Sequence, residues 1–114
     1  MTEAMAADEV LIDVAGDFSP TPGGRYITES LYSGQEFREK VLEPQIAKHK
    51  RLVINLDGPE GFTTSFLEEA FGGLVRKFGR DVVSMVRFVA VLRPNRARKA
   101  VEYMQRAVNA ATGA

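Results

Sequence analysis

Three consecutive hydroxyl side chains, Thr63, Thr64 and Ser65, are followed one turn later by two carboxylates, Glu68 and Glu69. A hydroxyl at the start of a helix is well placed to carry a phosphate, because free backbone N–H groups and the helix dipole favour negative charge there. The two acids oppose a dianion by like-charge repulsion. Ser65 and Glu68 also have capping-box spacing, which is a purely structural use of a hydroxyl. A regulatory site at Thr64 or Ser65 and a plain helix cap are both open interpretations.

Enzymatic chemistry has little support in the composition. The chain has no cysteine, and His49 is its only imidazole. Thiol nucleophiles, disulfides and thiolate metal sites are therefore excluded. A small hydrolase or phosphotransferase built on Asp57 and one of the hydroxyls is an alternative, but the sequence identifies no base for it. We expect a protein that is not an enzyme, with no catalytic residue, no metal site and no cofactor.

The charges are balanced, with 15 basic and 15 acidic residues, so no global field attracts nucleic acid or an anionic membrane. Four basic residues do cluster within seven positions near the C-terminus. They are Arg93, Arg96, Arg98 and Lys99. Solvated charges paired with nearby acids are the favoured interpretation, and contact with a phosphate or an acidic partner is the alternative. We expect no binding to nucleic acid, because no recognition motif or aromatic stacking platform accompanies the cluster.

The N-terminus reads as a flexible segment over residues 1–9. It carries three acids and has no basic region ahead of an apolar stretch, which argues against a secretory signal. No apolar run in the sequence approaches the length of a membrane span. We expect a cytoplasmic protein that does not bind membranes.

Four runs rich in β-branched and apolar residues predict strands. They are Val10–Ala15, Arg25–Thr28, Leu52–Leu56 and Val86–Val91. The second run follows a loop with two prolines and two glycines, and is predicted to return as a hairpin strand. Leu52–Leu56 is almost unbroken in its apolar character, which predicts a central strand covered on both faces.

The first predicted helix begins at Ser33. Ser33 and Glu36 have capping-box spacing, and the helical pattern continues to about Lys48. Pro44 would cost about 3 kcal/mol in a helix interior, so we expect a kink or restart there.

Two further helices follow the central strand and the last strand. In the first of them, an apolar face recurs at helical spacing through Leu67, Phe71, Leu74 and Phe78, and Gly79 is the predicted C-terminal cap. The last helix is predicted to be capped by Asn95. Strands and helices that alternate late in the chain indicate a partly parallel sheet with helices packed on it.

Two segments carry a resemblance to a known family. The central strand and its loop, Leu52–Gly58, and the loop and helix Gly61–Val75 resemble the STAS-like proteins of bacteria, small domains related to anti-sigma-factor antagonists. Ser33–Arg38 supports the resemblance, which extends from about Val10 to Ala107. It implies a single STAS-like domain over residues 10–111. The implied fold is α/β, a mixed sheet of about four strands with about three helices packed on it.

In antagonists of the STAS family, a helix-start serine is the target of a kinase. The resemblance places that acceptor on Thr64, with Ser65 as the neighbouring candidate. Two positions depart from the family pattern, because Thr63 stands where the family has an aspartate and Phe66 where it has a glycine.

The resemblance implies a regulatory, protein-binding module whose partner is a GHKL-type ATPase or anti-sigma kinase. The implied partner-binding residues lie in the loop and helix start: Asp57, Gly58, Phe62, Thr63, Phe66, Glu68 and Glu69. Phe62 and Phe66 can be read either as exposed anchors or as core residues folded under the loop. Gly72 and Gly73 indicate close packing of the helix against the sheet, which is the favoured interpretation, or else close approach of a partner's backbone or a point where the helix bends. A self-assembling subunit that forms a homo-oligomer is the alternative function.

Overall fold

The computed structural model describes residues 8–112, in which three strands alternate with helices. The strands are β1 (Glu9–Asp13), β2 (Arg51–Asn55) and β3 (Val86–Val89). The helices are α1 (Val14–Asp17), α2 (residues 34–47), α3 (residues 64–78) and α4 (Pro94–Ala111), with a 3₁₀ helix over Arg80–Met85 before β3. Residues 1–7, the greater part of the predicted flexible N-terminus, lie outside the described residues.

The sheet has the order β1-β2-β3, and both pairings are parallel. Ile54 of β2 lies between Ile12 and Phe88, and these side chains belong to the core under the helices. Successive side chains alternate between the faces of a strand, so Val53 lies on the opposite face, beside Leu11, which is 57% exposed. The central position predicted for this strand is confirmed, and so is its cover on both faces, since Val53 is only 4% exposed although it lies outside the core cluster under the helices.

The predicted mixed sheet of about four strands is wrong in two respects: the described residues form three strands, and all are parallel. The missing strand is Arg25–Thr28, which lies in a loop. Its backbone is used elsewhere, since the carbonyl of Gly24 accepts from Gly34 N (2.8 Å) and that of Arg25 from Gln35 N (3.0 Å). The segment therefore runs along the start of α2, where it cannot join a sheet ladder.

Helix α2 begins where the sequence predicts, with Ser33 Oγ accepting from Glu36 N at 3.1 Å. It continues past Pro44 without a break, because a π-helical segment, Arg38–Leu42, precedes the proline. The wider π turn makes room for the ring of Pro44. Proline has no N–H to donate, and its ring would crowd the carbonyl one turn earlier in a regular helix. The predicted kink or restart is therefore a local change of helical pitch.

Helix α3 ends as predicted at Gly79, whose φ of 89° suits glycine and whose N–H reaches Val75 O at 2.8 Å. The predicted cap of α4 is wrong. Arg93 occupies the N-cap position without a side-chain bond, Pro94 is the first helical residue, and Asn95 lies inside the first turn. Proline at the first helical position fixes the helix start without a capping hydroxyl or amide.

The space between the sheet and the helices is filled mainly by aliphatic side chains, with a group of packed phenylalanines among them. Phe37 of α2 packs on Phe66 of α3 with ring centroids 5.8 Å apart, and Phe71 meets Phe88 of β3 edge to face at 4.8 Å. Across the described residues, none of the helices combines the length and the apolar character that crossing a membrane requires.

Candidate functional site

The loop between β2 and α3 ends at Thr63, which is the N-cap of α3. Its Oγ1 accepts from Phe66 N at 3.0 Å and donates to Gly23 O at 3.1 Å. The cap therefore lies one residue before Thr64 and two before Ser65, so the predicted capping by either of these residues is wrong. Thr64 is the first residue of the helix, and its side chain is exposed.

The two phenylalanines of this segment have different positions. Phe66 has no exposed surface and packs against Phe37 and Phe62, so the core interpretation is correct for it. Phe62 is half-buried, with its ring beneath the guanidinium of Arg96 at 5.1 Å from the ring centroid. Of the two, only Phe62 retains surface that a partner could contact.

Asp57, in the β2–α3 loop, fixes the neighbouring loop between β3 and α4. Its carboxylate accepts three backbone N–H bonds, from Val91 (2.7 Å), Leu92 (3.0 Å) and Arg93 (3.1 Å). Desolvation by these loops acts to raise the pKa of Asp57, but the three donors and nearby Arg96 outweigh it and hold the pKa below its usual value. The carboxylate that the hydrolase interpretation used is therefore engaged in joining two loops.

Arg96 of α4 makes the reciprocal contact and holds the β2–α3 loop. Its Nη1 donates to the carbonyls of Leu56 (2.6 Å) and Pro59 (2.9 Å). Sequence reasoning grouped Arg96 with solvated charges and missed this role. The only signal available was the unusual density of cations at the start of α4, since the carbonyls that Arg96 binds are about forty residues away.

The pKa of Asp57 leads to a prediction about acid stability. A carboxyl whose pKa is lower in the folded state stabilises the fold above its unfolded value of about 3.9, and this contribution is lost as the pH falls through the folded value. We expect Asp57→Asn to be less stable than wild type at pH 7 and to lose less of its remaining stability below about pH 4. Urea unfolding at both pH values measures this, with Glu29→Gln, an exposed loop acid, as the control. Equal loss of stability in acid by Asp57→Asn and wild type would contradict the lowered pKa of Asp57.

The two acids that follow the hydroxyls are neutralised by arginines. Glu68 contacts Arg76 and Arg25, each at 2.6 Å. Glu69 is largely buried and contacts Arg38 at 2.5 Å and Arg25 at 3.2 Å. The hydrogen bond from Arg76 is the main reason why the pKa of Glu68 is lowered. Of the predicted partner-binding residues, Glu69 is thus committed to an interhelical ion pair.

Gly72 and Gly73 make room for these arginines. A Cβ on Gly73 would lie 2.5 Å from Nη1 of Arg38, and one on Gly72 would lie 2.6 Å from a carboxylate oxygen of Glu68. The predicted packing against the sheet is therefore wrong, because the close contacts of both glycines are with charged side chains of α2 and α3. These glycines also border a π-helical segment, Glu68–Gly72, so α3 repeats the irregular pitch of α2.

The structure thus brings one group of the predicted residues to a single edge of the sheet. Gly58 and Thr64 are exposed there, beside an open cavity of about 330 Å³ lined by Thr21, Pro22 and residues 60–63. Within residues 8–112, no three acids or histidines are grouped so as to hold a metal ion. The arrangement presents one exposed helix-start hydroxyl, that of Thr64, on a loop held by hydrogen bonds of Thr63 and Arg96.

These features define a small α/β domain with a loop and helix start fixed at the carboxyl edge of a parallel sheet. Residues 33–87 match the family model described as the STAS-like domain of unknown function (DUF4325). The match spans α2, β2 and α3 and confirms the STAS-like resemblance that the sequence motifs indicated. Neither a search of curated proteins nor a search of solved structures found a match.

Proposed function

We propose that this STAS-like domain is a regulatory module that binds a protein partner through the loop and helix start from Gly58 to Val75, and that the partner is a GHKL-type ATPase or kinase of a partner-switching system. The observation that supports the proposal is the exposed hydroxyl of Thr64 at the first position of α3. The loop that leads to it is anchored by Thr63 and Arg96, so the hydroxyl has a defined position.

Phosphorylation of Thr64 is the switch in this proposal. A phosphate at the first helical residue is favoured by the free N–H groups of the first turn. The objection from the sequence was repulsion by Glu68 and Glu69. Because both carboxylates are paired with arginines, their opposition to a nearby dianion is reduced. Ser65 is the weaker candidate, since its side chain is half-buried.

The first experiment identifies the partner and the modification together. The full chain is affinity-purified from its native cell, and mass spectrometry is applied to the co-purifying proteins and to the peptide that contains Thr63–Ser65. A GHKL-type ATPase together with phosphate on Thr64 supports the proposal. A partner of another class, an unmodified peptide under every growth condition, or a homo-oligomer with no partner counts against it.

The proposed phosphorylation switch at Thr64 makes a quantitative prediction about how tightly the purified partner binds. Thr64→Glu should weaken its binding about ten-fold, a change of about 1.4 kcal/mol, because charge is added where the partner docks. Thr64→Ala should bind as wild type does, because the exposed hydroxyl is not the helix cap. The matched control is Ser84→Glu, which also places a glutamate at an exposed hydroxyl residue, in this case just before β3. Equal binding by Thr64→Glu and Thr64→Ala would remove the switch from the proposal.

A further inference from the structure

Two aliphatic side chains, Val91 and Leu92, stand out from the loop between β3 and α4. They are 78% and 79% exposed. Their backbone is nevertheless fixed, because the N–H groups of both residues, and that of Arg93, are bound by the carboxylate of Asp57. An exposed apolar pair on a backbone that is already ordered loses little conformational entropy when a partner covers it.

Three cations that follow this pair closely in the sequence have no acidic partner among residues 8–112. Arg93, Arg98 and Lys99 are exposed, and no carboxylate among residues 8–112 forms an ion pair with them. Arg98 contacts only the amide oxygen of Asn95, and the first turn of α4 contains no acid. Elsewhere, exposed cations such as Lys77 and Arg106 do contact carboxylates. The sequence-based expectation of solvated charges paired with nearby acids is therefore correct for the exposure of these three cations and wrong for their pairing.

We propose that Val91, Leu92, Arg93, Arg98 and Lys99, together the Leu92 surface, dock an acidic segment of a partner protein, in which a large apolar side chain is flanked by aspartates or glutamates. The apolar pair would pack against that side chain, and the carboxylates would meet the three unpaired cations. Buried apolar anchors with a charged rim are the usual anatomy of a binding hot spot.

The composition of the surface favours a peptide over other anionic ligands. Single-stranded nucleic acid is bound on aromatic stacking platforms, and the apolar residues here are aliphatic. Membrane-surface binding uses a broad apolar helix face, whereas the apolar part of this surface is two residues wide. The net charge of the whole chain is zero, so the attraction is confined to this surface.

This inference extends the proposed function, because it names the chemistry of a second contact next to the first. The two surfaces adjoin at Asp57, whose backbone belongs to the β2–α3 loop and whose carboxylate holds the Leu92 surface. Neither Thr64 nor its modification takes part in the second contact. The two proposals can therefore fail separately.

A random peptide library displayed on phage and panned against the full chain tests the inference. Enriched peptides should carry net negative charge and at least one large apolar residue. A synthetic peptide from the enriched set is then titrated by fluorescence anisotropy. Its affinity should fall about ten-fold or more both in Val91→Ser/Leu92→Ser and in Arg98→Glu/Lys99→Glu, and it should also weaken at about 0.5 M salt, where charges are strongly screened.

The matched control is Lys48→Glu/Arg80→Glu, which makes the same change in net charge at exposed positions beside the opposite ends of β2 and β3. This variant should bind the peptide within about two-fold of wild type, because its charges precede β2 and β3 whereas the Leu92 surface follows the carboxyl end of β3. Enriched peptides without acidic bias would overturn the inference. So would undiminished binding by the Leu92-surface variants, or variant-sensitive binding of anionic vesicles or oligonucleotides in place of the peptide. Peptide binding that Thr64→Glu abolishes and the Leu92-surface variants retain would leave the proposed function standing and remove this inference.

Discussion

Arg38→Met is expected to lower the free energy of unfolding by about 3 to 5 kcal/mol, the cost typical of removing one partner from a buried ion pair. The side chain of Arg38 is 12% exposed, and it donates to Glu69 Oε2 at 2.5 Å, to Glu69 O at 2.9 Å and to Glu43 Oε2 at 2.9 Å. Methionine keeps much of the aliphatic packing but leaves two nearly buried carboxylates without their shared cation. Urea unfolding at pH 7 measures the loss.

A second arginine in the same ion-pair network is the matched control. Arg76 contacts Glu68 at a similar distance, 2.6 Å, but its side chain is 48% exposed. Arg76→Met should therefore cost no more than about 1 kcal/mol, as exposed ion pairs do. If Arg38→Met and Arg76→Met proved equally mild, the ion pairs between α2 and α3 would be a surface feature and not part of what holds the helices together.

The double variant Arg38→Met/Glu69→Gln separates lost attraction from stranded charge. Once Glu69 is neutral, the penalty for burying an unpaired carboxylate is removed, so the double variant should recover part of the stability that Arg38→Met loses. Glu43 retains Lys77 at 2.8 Å in both variants. A double variant less stable than Arg38→Met alone would show that Glu69 is held mainly by Arg25 and not by Arg38.

Local signals were sufficient to predict the three longer helices and the central strand, but not the short helix α1, whose first residues Val14 and Ala15 were predicted to end the first strand. The hydroxyl of Ser33 and the glycine at position 79 act over a few residues, and the structure uses both as predicted. The apolar period of α3 holds for Leu67, Phe71 and Leu74, whereas Phe78 at the end of the helix is 37% exposed. The strand predicted at Arg25–Thr28 failed because β-branched and aromatic residues are only a weak preference, which tertiary hydrogen bonds override. There the carbonyls of Gly24 and Arg25 bind the start of α2.

The sequence indicated where the candidate site lies but not which residues hold it in place. The STAS-like resemblance pointed to Thr64, which is exposed at the first position of α3, whereas the local capping pattern placed the helix cap one or two residues too late. It could not identify the arginines that hold the site. Arg25 and Arg38 pair with acids 43 and 31 residues away, and Arg96 binds a carbonyl 40 residues away. Contacts of this range have no local spacing, so an isolated sequence does not reveal them.

Gly34→Ala tests whether the close approach of α2 and α3 positions the site. A Cβ at Gly34 would lie 2.5 Å from the carbonyl oxygen of Phe66 and 3.1 Å from its Cα. These are backbone atoms beside a fully buried ring, so they cannot move aside as a flexible side chain would. We expect a loss of about 1 to 3 kcal/mol, as overpacking typically costs, although alanine favours the helix more than glycine does.

The matched control is Gly61→Ala in the β2–α3 loop, where an added Cβ would meet nothing within 4 Å. That variant should be neutral or more stable by up to about 1 kcal/mol, because alanine restricts the unfolded chain.

Gly34→Ala should also weaken partner binding, since the strain falls on the turn that carries Thr63 and Thr64, whereas Gly61→Ala should fold at least as well as wild type. Thermal unfolding of the two variants side by side measures the stability part of the prediction. A Gly34→Ala protein as stable as Gly61→Ala would mean that the two helices can separate at no cost, and the rigid presentation of Thr64 would lose its structural basis.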